Sequence, residues 1–237
     1  MHLSDGIRRM ALDLGFWEAG FIATEQIHFS EEIRQICEGN VCRHYAKTWA
    51  CPPAVGTGEA CAARCRRFDT LLLLSGKYDL EDSFDDEGMI AGMRDFKRLM
   101  ERLDDAARAR LGEGLFLSNA GCGRCAACTY PDAPCRFPQR LHHAIEGYGL
   151  NVSELARQAG VRYVNGPNTV TYFGAVLMNE REDGSGAEQP GFVAPVKALG
   201  MQTVWIRQGP RRNCLPHTDG ERAAWTVETL DGLLERF

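Results

Sequence analysis

Cys122, Cys125, Cys128 and Cys135 place four thiols within fourteen residues, spaced Cys-x2-Cys-x2-Cys-x6-Cys. Neighbouring thiolates repel one another unless a cation lies between them, so this clump points to a metal rather than to packing. Three cysteines at steps of three, followed by a more distant fourth, suit the corners of a [4Fe–4S] cube. A tetrahedral zinc site is more often built from two Cys-x2-Cys knuckles with a longer insert, and zinc stays open as the alternative. Bacterial ferredoxins share the opening triplet, but their fourth cysteine follows after three residues and serves the other cluster. Here the spacer has six residues and contains Pro131 and Pro134, so the fourth thiol can return to its own cluster.

Cys37, Cys42, Cys51, Cys61 and Cys65 form a second window, and nine of the ten cysteines fall in these two groups. Only Cys214 stands apart. The expected ligands of the first site are Cys37, Cys42, Cys51 and Cys61. Cys65 is the alternative to Cys61, since residues four apart share a helix face. A third arrangement has only three thiolates and leaves one iron open as a Lewis acid. Pro52 and Pro53 after Cys51 deny the chain a helix and fix an extended exit. The Cys-x3-Cys-x2-Cys triplet of radical enzymes is absent, because Phe68 stands where the third thiol would be.

Other reactive side chains flank these windows. His44, Tyr45 and Trp49 lie between two expected ligands; the aromatics would cover a cluster from water, and His44 is open to a proton-donating, ligating or surface role. Glu81, Asp82, Asp85 and Asp86 precede a long helical stretch and read as charge complementing its N-terminus. His142 and His143 are adjacent in sequence, so they point different ways.

The order Cys37, Asn40, Cys42, Tyr45, Trp49, Cys51-Pro52-Pro53, Gly56, Cys61 resembles an uncharacterised "predicted metal-binding protein" family of anaerobic bacteria and archaea. The resemblance continues through Leu80 to Asp85, Cys135-Arg136-Phe137-Pro138, Glu146-Gly147-Tyr148-Gly149 and Thr171-Tyr172-Phe173, covering roughly residues 21–178. It implies a bound metal, of iron–sulfur type, and no settled reaction. Arg43 and Ala46 stand where the family pattern has glycines around Tyr45. If those glycines carry positive φ, the loop here is remodelled or strained. Before Glu146, His142-His143-Ala144 replaces the family's acid-serine or proline-serine context.

The elements that must position these residues suggest an α/β protein, a mixed sheet flanked by helices with two cysteine-rich cluster-binding loops. Ser4 is a candidate cap for a helix with Ile7, Met10, Ala11 and Leu14 inward, and Phe21–Ala23 a first strand. Ser30 caps a helix that delivers Cys37, and Glu38–Thr57 is a ligand loop. Thr70–Ser75 reads as a buried strand. Ser83, with Asp86, has capping-box spacing ahead of a helix of about 26 residues, or roughly 39 Å. Its stripe is Met89, Met93, Phe96, Met100, Leu103 and Ala107, with Arg94, Lys97, Arg98, Glu101 and Asp105 on the other side. Leu115–Ser118 is a strand leading into the second cysteine loop. Ser153 caps a short helix, and Val170–Met178 is a strand.

Domain boundaries follow composition: a metal-binding domain over 1–178, a polar glycine-rich linker over 179–193 and a strand–helix appendage over 194–237. In the appendage Leu199–Ile206 reads as a strand, and Asp219 caps a helix with the stripe Ala223, Val227, Leu230, Leu234 and Phe237. This tail is similar to the last strand and helix of haloacid-dehalogenase-type phosphatases, but the chain has no Asp-x-Asp nucleophile motif.

With 237 residues, 44% hydrophobic and 25% charged, the chain can bury a large core. A net charge of −5 argues against nucleic acid as the main partner. There is no apolar secretory start and no segment of bilayer length, which makes the cytoplasm the default compartment and membranes an unexpected partner. Clustered thiols in a reducing compartment favour metal over disulfides. The expectation is therefore an iron–sulfur protein with two [4Fe–4S] clusters, acting in electron transfer or a cluster-dependent redox reaction with an unidentified redox partner or small-molecule substrate. Against it stand a non-redox iron–sulfur lyase or desulfurase using an open iron, and a zinc-binding structural or regulatory module.

Overall fold

A computed structural model describes residues 2–180, 204–206 and 225–227. The chain divides into two compact units, Met1–Asp183 and Gly184–Phe237. Among the described residues of the second unit, Val204–Ile206 and Trp225–Val227 pair as two short parallel strands. The second of these replaces the expected helix: Trp, Thr and Val are β-branched or aromatic and favour extended backbone. Cys214, the linker beyond Glu180 and the rest of that expected helix lie outside the described residues.

The first unit is an α/β fold around a mixed five-stranded sheet. Its strands are β1 (Glu18–Ala23), β2 (Thr70–Asp79), β3 (Leu115–Ser118), β4 (His143–Ala144) and β5 (Thr169–Met178), in the order β1-β2-β5-β3-β4. All neighbours are antiparallel except β3 and β4. Successive residues of a strand face opposite sides, so the unbroken apolar run of β2 serves two cores. Leu71 and Leu73 join Leu117, Ala175 and Leu177 on one face, under α3 (Gly58–Cys65) and α5 (Val152–Ala159). Leu72 and Leu74 join Phe116, Val176 and Met178 on the other, under α1 (Leu3–Leu14) and α4 (Asp86–Leu111).

The expected stripe on α4 is the packed one over its inner part, where Phe96, Met100, Leu103 and Ala107 are fully buried. Three helix starts differ by a few residues from expectation, and at two of them a better-placed acceptor takes the cap. Asp85, not Ser83, caps α4 by accepting from Gly88 N, and Asn151, not Ser153, caps α5. Ser4 lies inside α1, buried, and caps nothing. Ser30 caps α2 (Glu31–Glu38) as its position suggests, accepting from Ile33 N.

Two irregular segments emerge from this frame on the side where β3 and β4 end. One runs from the end of α2 to the start of α3. The other runs from Ser118 to His143. Ala144 N donates to Ala50 O at 2.9 Å, and the Trp49 indole donates to Ala133 O at 3.1 Å while its ring meets Tyr130 edge-on. The two segments are thus laced together.

Candidate metal centre

Cys37 rides at the end of α2, Cys42 in the turn that follows, and Cys51 where that loop dives under Ala144. These three thiols line one pocket of about 390 Å³ with Ile33, Val41, Tyr45, Pro52 and Glu146. Burial pushes Cys37 up to about 11, helped by Glu146, Cys42 and Cys51, while Arg34 opposes. Cys51 is raised too, again chiefly by burial. Several acidic groups therefore crowd one space, each disfavouring ionisation of the others, which is the electrostatic setting a cation relieves.

Three residues of the loop between these ligands are left-handed: Asn40 (φ +53°), a residue type that visits this region readily, and two that do not. Arg43 (φ +60°) and Ala46 (φ +52°) keep the left-handed conformation that glycine favours. The flanking bonds over-determine it: Asn40 Oδ1 accepts from Tyr45 N at 3.1 Å, Arg43 N donates to Asn40 O at 3.0 Å, and Ala46 N to Pro52 O at 2.9 Å. The loop is thus strained rather than remodelled.

Cys61 and Cys65 are placed elsewhere. Both are fully buried on α3, in the apolar core with Phe68, Tyr148 and Ile145. Cys61 Sγ lies 3.2 Å from the Arg64 guanidinium, 3.7 Å from that of Arg34 and 3.5 Å from Val55 O. Desolvation raises Cys65 to about 12. Beside them the Tyr148 hydroxyl meets His143 Nδ1 at 2.7 Å, and Arg64 stacks over the Tyr148 ring. Burial, with Arg64 and His142 nearby, lowers His143 to about 4, so this imidazole is neutral at ordinary pH.

Cys122, Cys125, Cys128 and Cys135 line a second pocket of about 280 Å³, together with His44, Trp49, Lys97, Arg124 and Arg136. The four thiols that sequence spacing groups together therefore share one space. Burial raises Cys122, offset by the backbone N–H groups and charge of Arg124 and by His142 N–H. The nine cysteines of the first unit are all free thiols. Among the described residues, no three His, Cys, Asp or Glu side chains already converge as a single bound ion would require.

Helix α4 holds this loop through the face that sequence reading assigns to solvent. Lys97 donates to Gly121 O, Glu101 pairs with Arg124 at 3.4 Å, and Arg140 pairs with Asp105. Fully buried Asp104 receives His142 Nε2 at 3.0 Å and Arg108 at 2.5 Å. Burial alone would raise the Asp104 carboxyl, but the hydrogen bonds and charges of His142 and Arg108 outweigh it and lower it. Asp104 and Arg34 carry no motif that would single them out, and Glu146 stands in the Glu-Gly-Tyr-Gly run of the resemblance without any sign that it shares a pocket with thiols; only the helical spacing of Lys97, Glu101, Asp104 and Arg108 is a signal in retrospect.

The pockets share a wall. Ala120 lines the first and Cys122 the second, and two residues of chain span at most about 7 Å. A side chain on intervening Gly121 would press on His44 and Thr48, with 3.2 Å to His44 Nδ1. Lys97 sits at this wall, within electrostatic reach of both Cys51 and Cys122.

The sequence profile of the family described as "Predicted metal-binding protein (DUF2284)" matches residues 20–178, the whole of the segment that carries both pockets. No curated protein and no solved structure matches the chain. Among the described residues, no helix is long and apolar enough to cross a membrane.

Proposed function

Since the chain belongs to this predicted metal-binding protein family, we propose that it is an iron–sulfur protein with one [4Fe–4S] cluster in each pocket. Its task is one-electron transfer or a cluster-dependent redox reaction in the cytoplasm, with a soluble redox partner or small molecule. The observation that carries this reading is the second pocket, where a Cys-x2-Cys-x2-Cys-x6-Cys set lines a single cavity.

Cys122, Cys125, Cys128 and Cys135 would hold the second cluster, and Cys37, Cys42 and Cys51 the first. A cluster so held supplies reversible one-electron chemistry, with a potential set by charge, hydrogen bonds and burial around sulfur. The protein's own groups are suited to that. Lys97, Arg124 and Arg136 bring positive charge to a set of thiolates, and the N–H groups of Arg124 and His142 reach Cys122. Trp49 and Tyr130 cover the join between the two loops. In the first pocket Tyr45, Ile33 and Val41 make an apolar wall next to the three thiols, room for a small molecule beside a metal.

Anaerobic loading with iron and sulfide, followed by quantification of iron, sulfide and zinc, tests the reading. About eight irons and eight sulfides per chain, with the broad brown absorption of a cluster, is expected for two cubes. Stoichiometric zinc in a colourless protein that refuses iron would sink it in favour of a zinc module.

A further inference from the structure

Resting on the reading of the first pocket as a metal centre, we propose that Glu146 supplies its fourth donor, an oxygen ligand completing Cys37, Cys42 and Cys51.

The carboxyl lines the same pocket as the three thiols and is a neighbour of both Cys37 and Cys51. Its position is built rather than incidental. Glu146 opens a short 3-10 turn, Glu146–Tyr148, whose next residue, Gly147, is pinned from two sides. Gly147 O accepts from the Arg34 guanidinium, and a side chain at Gly147 would meet Pro52, the residue after Cys51, at 3.1 Å. The turn is therefore locked against the loop that carries the ligands.

Among the described residues no arginine or lysine neutralises this carboxylate. Arg34, which grips the next residue of the turn, is committed to Gly147 O, Gly56 O at 2.8 Å and Cys61 Sγ. Glu146 and the three thiols therefore offer a cation four donors in one pocket, three sulfurs and an oxygen.

The other claimant for the fourth position is engaged elsewhere. Cys61 is fully buried in the core, with its sulfur between two guanidiniums and the Val55 carbonyl. For it to reach the pocket, α3 would have to rotate out of its packing. An oxygen donor among thiolates is harder and binds iron less firmly than sulfur does. The corner held by Glu146 is then the exchangeable one, where a substrate oxygen or sulfur, or an added anion, would displace the carboxylate.

The test uses the full chain loaded anaerobically, with iron and sulfide content and electron paramagnetic resonance of the reduced protein, with and without cyanide. In the wild type, cyanide should perturb one of two cluster signals. Glu146→Ala should lose iron from the first centre, with the second centre's signal unchanged. Glu146→Cys should retain that iron, shift the first signal and abolish its response to cyanide. Cys61→Ala should keep both signals. Full iron and an unchanged first signal in Glu146→Ala would overturn the assignment, as would loss of the first signal in Cys61→Ala alone. If Glu146→Ala loses both signals through misfolding, the near-isosteric Glu146→Gln decides: an altered first signal supports the ligand, an unchanged one rejects it. Failure of the underlying reading looks different, because Cys37→Ser would then leave iron content and spectrum untouched.

Discussion

The two pockets are built from different materials. The second gathers four thiols from one short stretch, is lined by Lys97, Arg124 and Arg136, and is fastened to α4 by ion pairs along that helix. The first gathers three thiols from a longer loop, adds a carboxylate, and is walled by Ile33, Val41, Tyr45 and Pro52. A four-thiol set with cationic surroundings suits a closed centre that exchanges electrons without rearranging. A three-thiol set with an oxygen neighbour and an apolar wall suits a centre that meets a substrate. If each holds a cluster as proposed, their adjacency across Ala120–Cys122 lets electrons that enter at one be used at the other.

The largest effect that tests this division is loss of a single centre. Cys125→Ser or Cys128→Ser should remove roughly half of the bound iron and leave the other cluster's signal intact, since each cube needs its own thiolates. Loss of all iron from either variant would mean one shared site, or folding of the whole unit around metal. The comparison would break there.

Next in size is the anchoring of the second loop. Asp104→Ala strips buried His142 of its acceptor and should cost about 1–3 kcal/mol, read as a lowered unfolding midpoint. The same carboxylate gives a pH dependence of known sign. Its folded-state value is depressed, so its contribution is complete above the ordinary aspartate range and is lost as pH falls through the lowered folded value. Acid unfolding monitored with wild type and Asp104→Asn should show the gap between them closing as the pH drops below the aspartate range. A constant gap would mean that Asp104 stabilises through packing alone.

Lys97 sharpens the comparison differently, because it lines the second pocket and lies within electrostatic reach of Cys51 in the first. Replacing it with methionine keeps most of the stem while removing a positive charge near Cys51 and Cys122. Both reduction potentials should move to more negative values, since the oxidised, less negative state no longer competes with a cation that favours added electrons. Redox titration that moves one centre only would place the lysine at one site and weaken the idea of a shared wall.

Much of this is legible in the amino-acid sequence. The spacing of Cys122 to Cys135 puts four thiols into one cavity because short steps leave the chain little choice. The apolar runs of β2 and β5, and the stripe on α4, follow from periodicity, which reports burial directly. What spacing could not reveal is tertiary. Cys61 follows Cys51 closely, yet α3 turns it into the core, where Arg34 and Arg64 take its sulfur. Glu146 lies nearly a hundred residues beyond Cys51 and reaches the pocket only because β4 runs beside β3. Lys97 and Glu101 read as the solvent side of an amphipathic helix until the second loop folds over them.

The smallest expected effect concerns Arg43 and Ala46, the left-handed residues of the first loop besides Asn40. Ala46 (φ +52°) occupies a region where a Cβ meets the following carbonyl, at a cost of about 1–2 kcal/mol that glycine avoids. Ala46→Gly should therefore raise the unfolding midpoint by an amount corresponding to about 1 kcal/mol, less the greater chain entropy that glycine brings to the unfolded state. If the strain serves the site, the gain carries a cost: a relaxed loop would hold Cys42 and Cys51 less firmly, and the first centre should release iron faster to a chelator than the second does. Chelator-transfer kinetics on the wild type and Ala46→Gly distinguish the two cases. A more stable protein with unchanged release means that alanine here is merely tolerated. A more stable protein whose first centre alone releases iron faster means that left-handed strain at Ala46 and Arg43 fixes the ligand loop, and that the two pockets differ in rigidity as well as in donors.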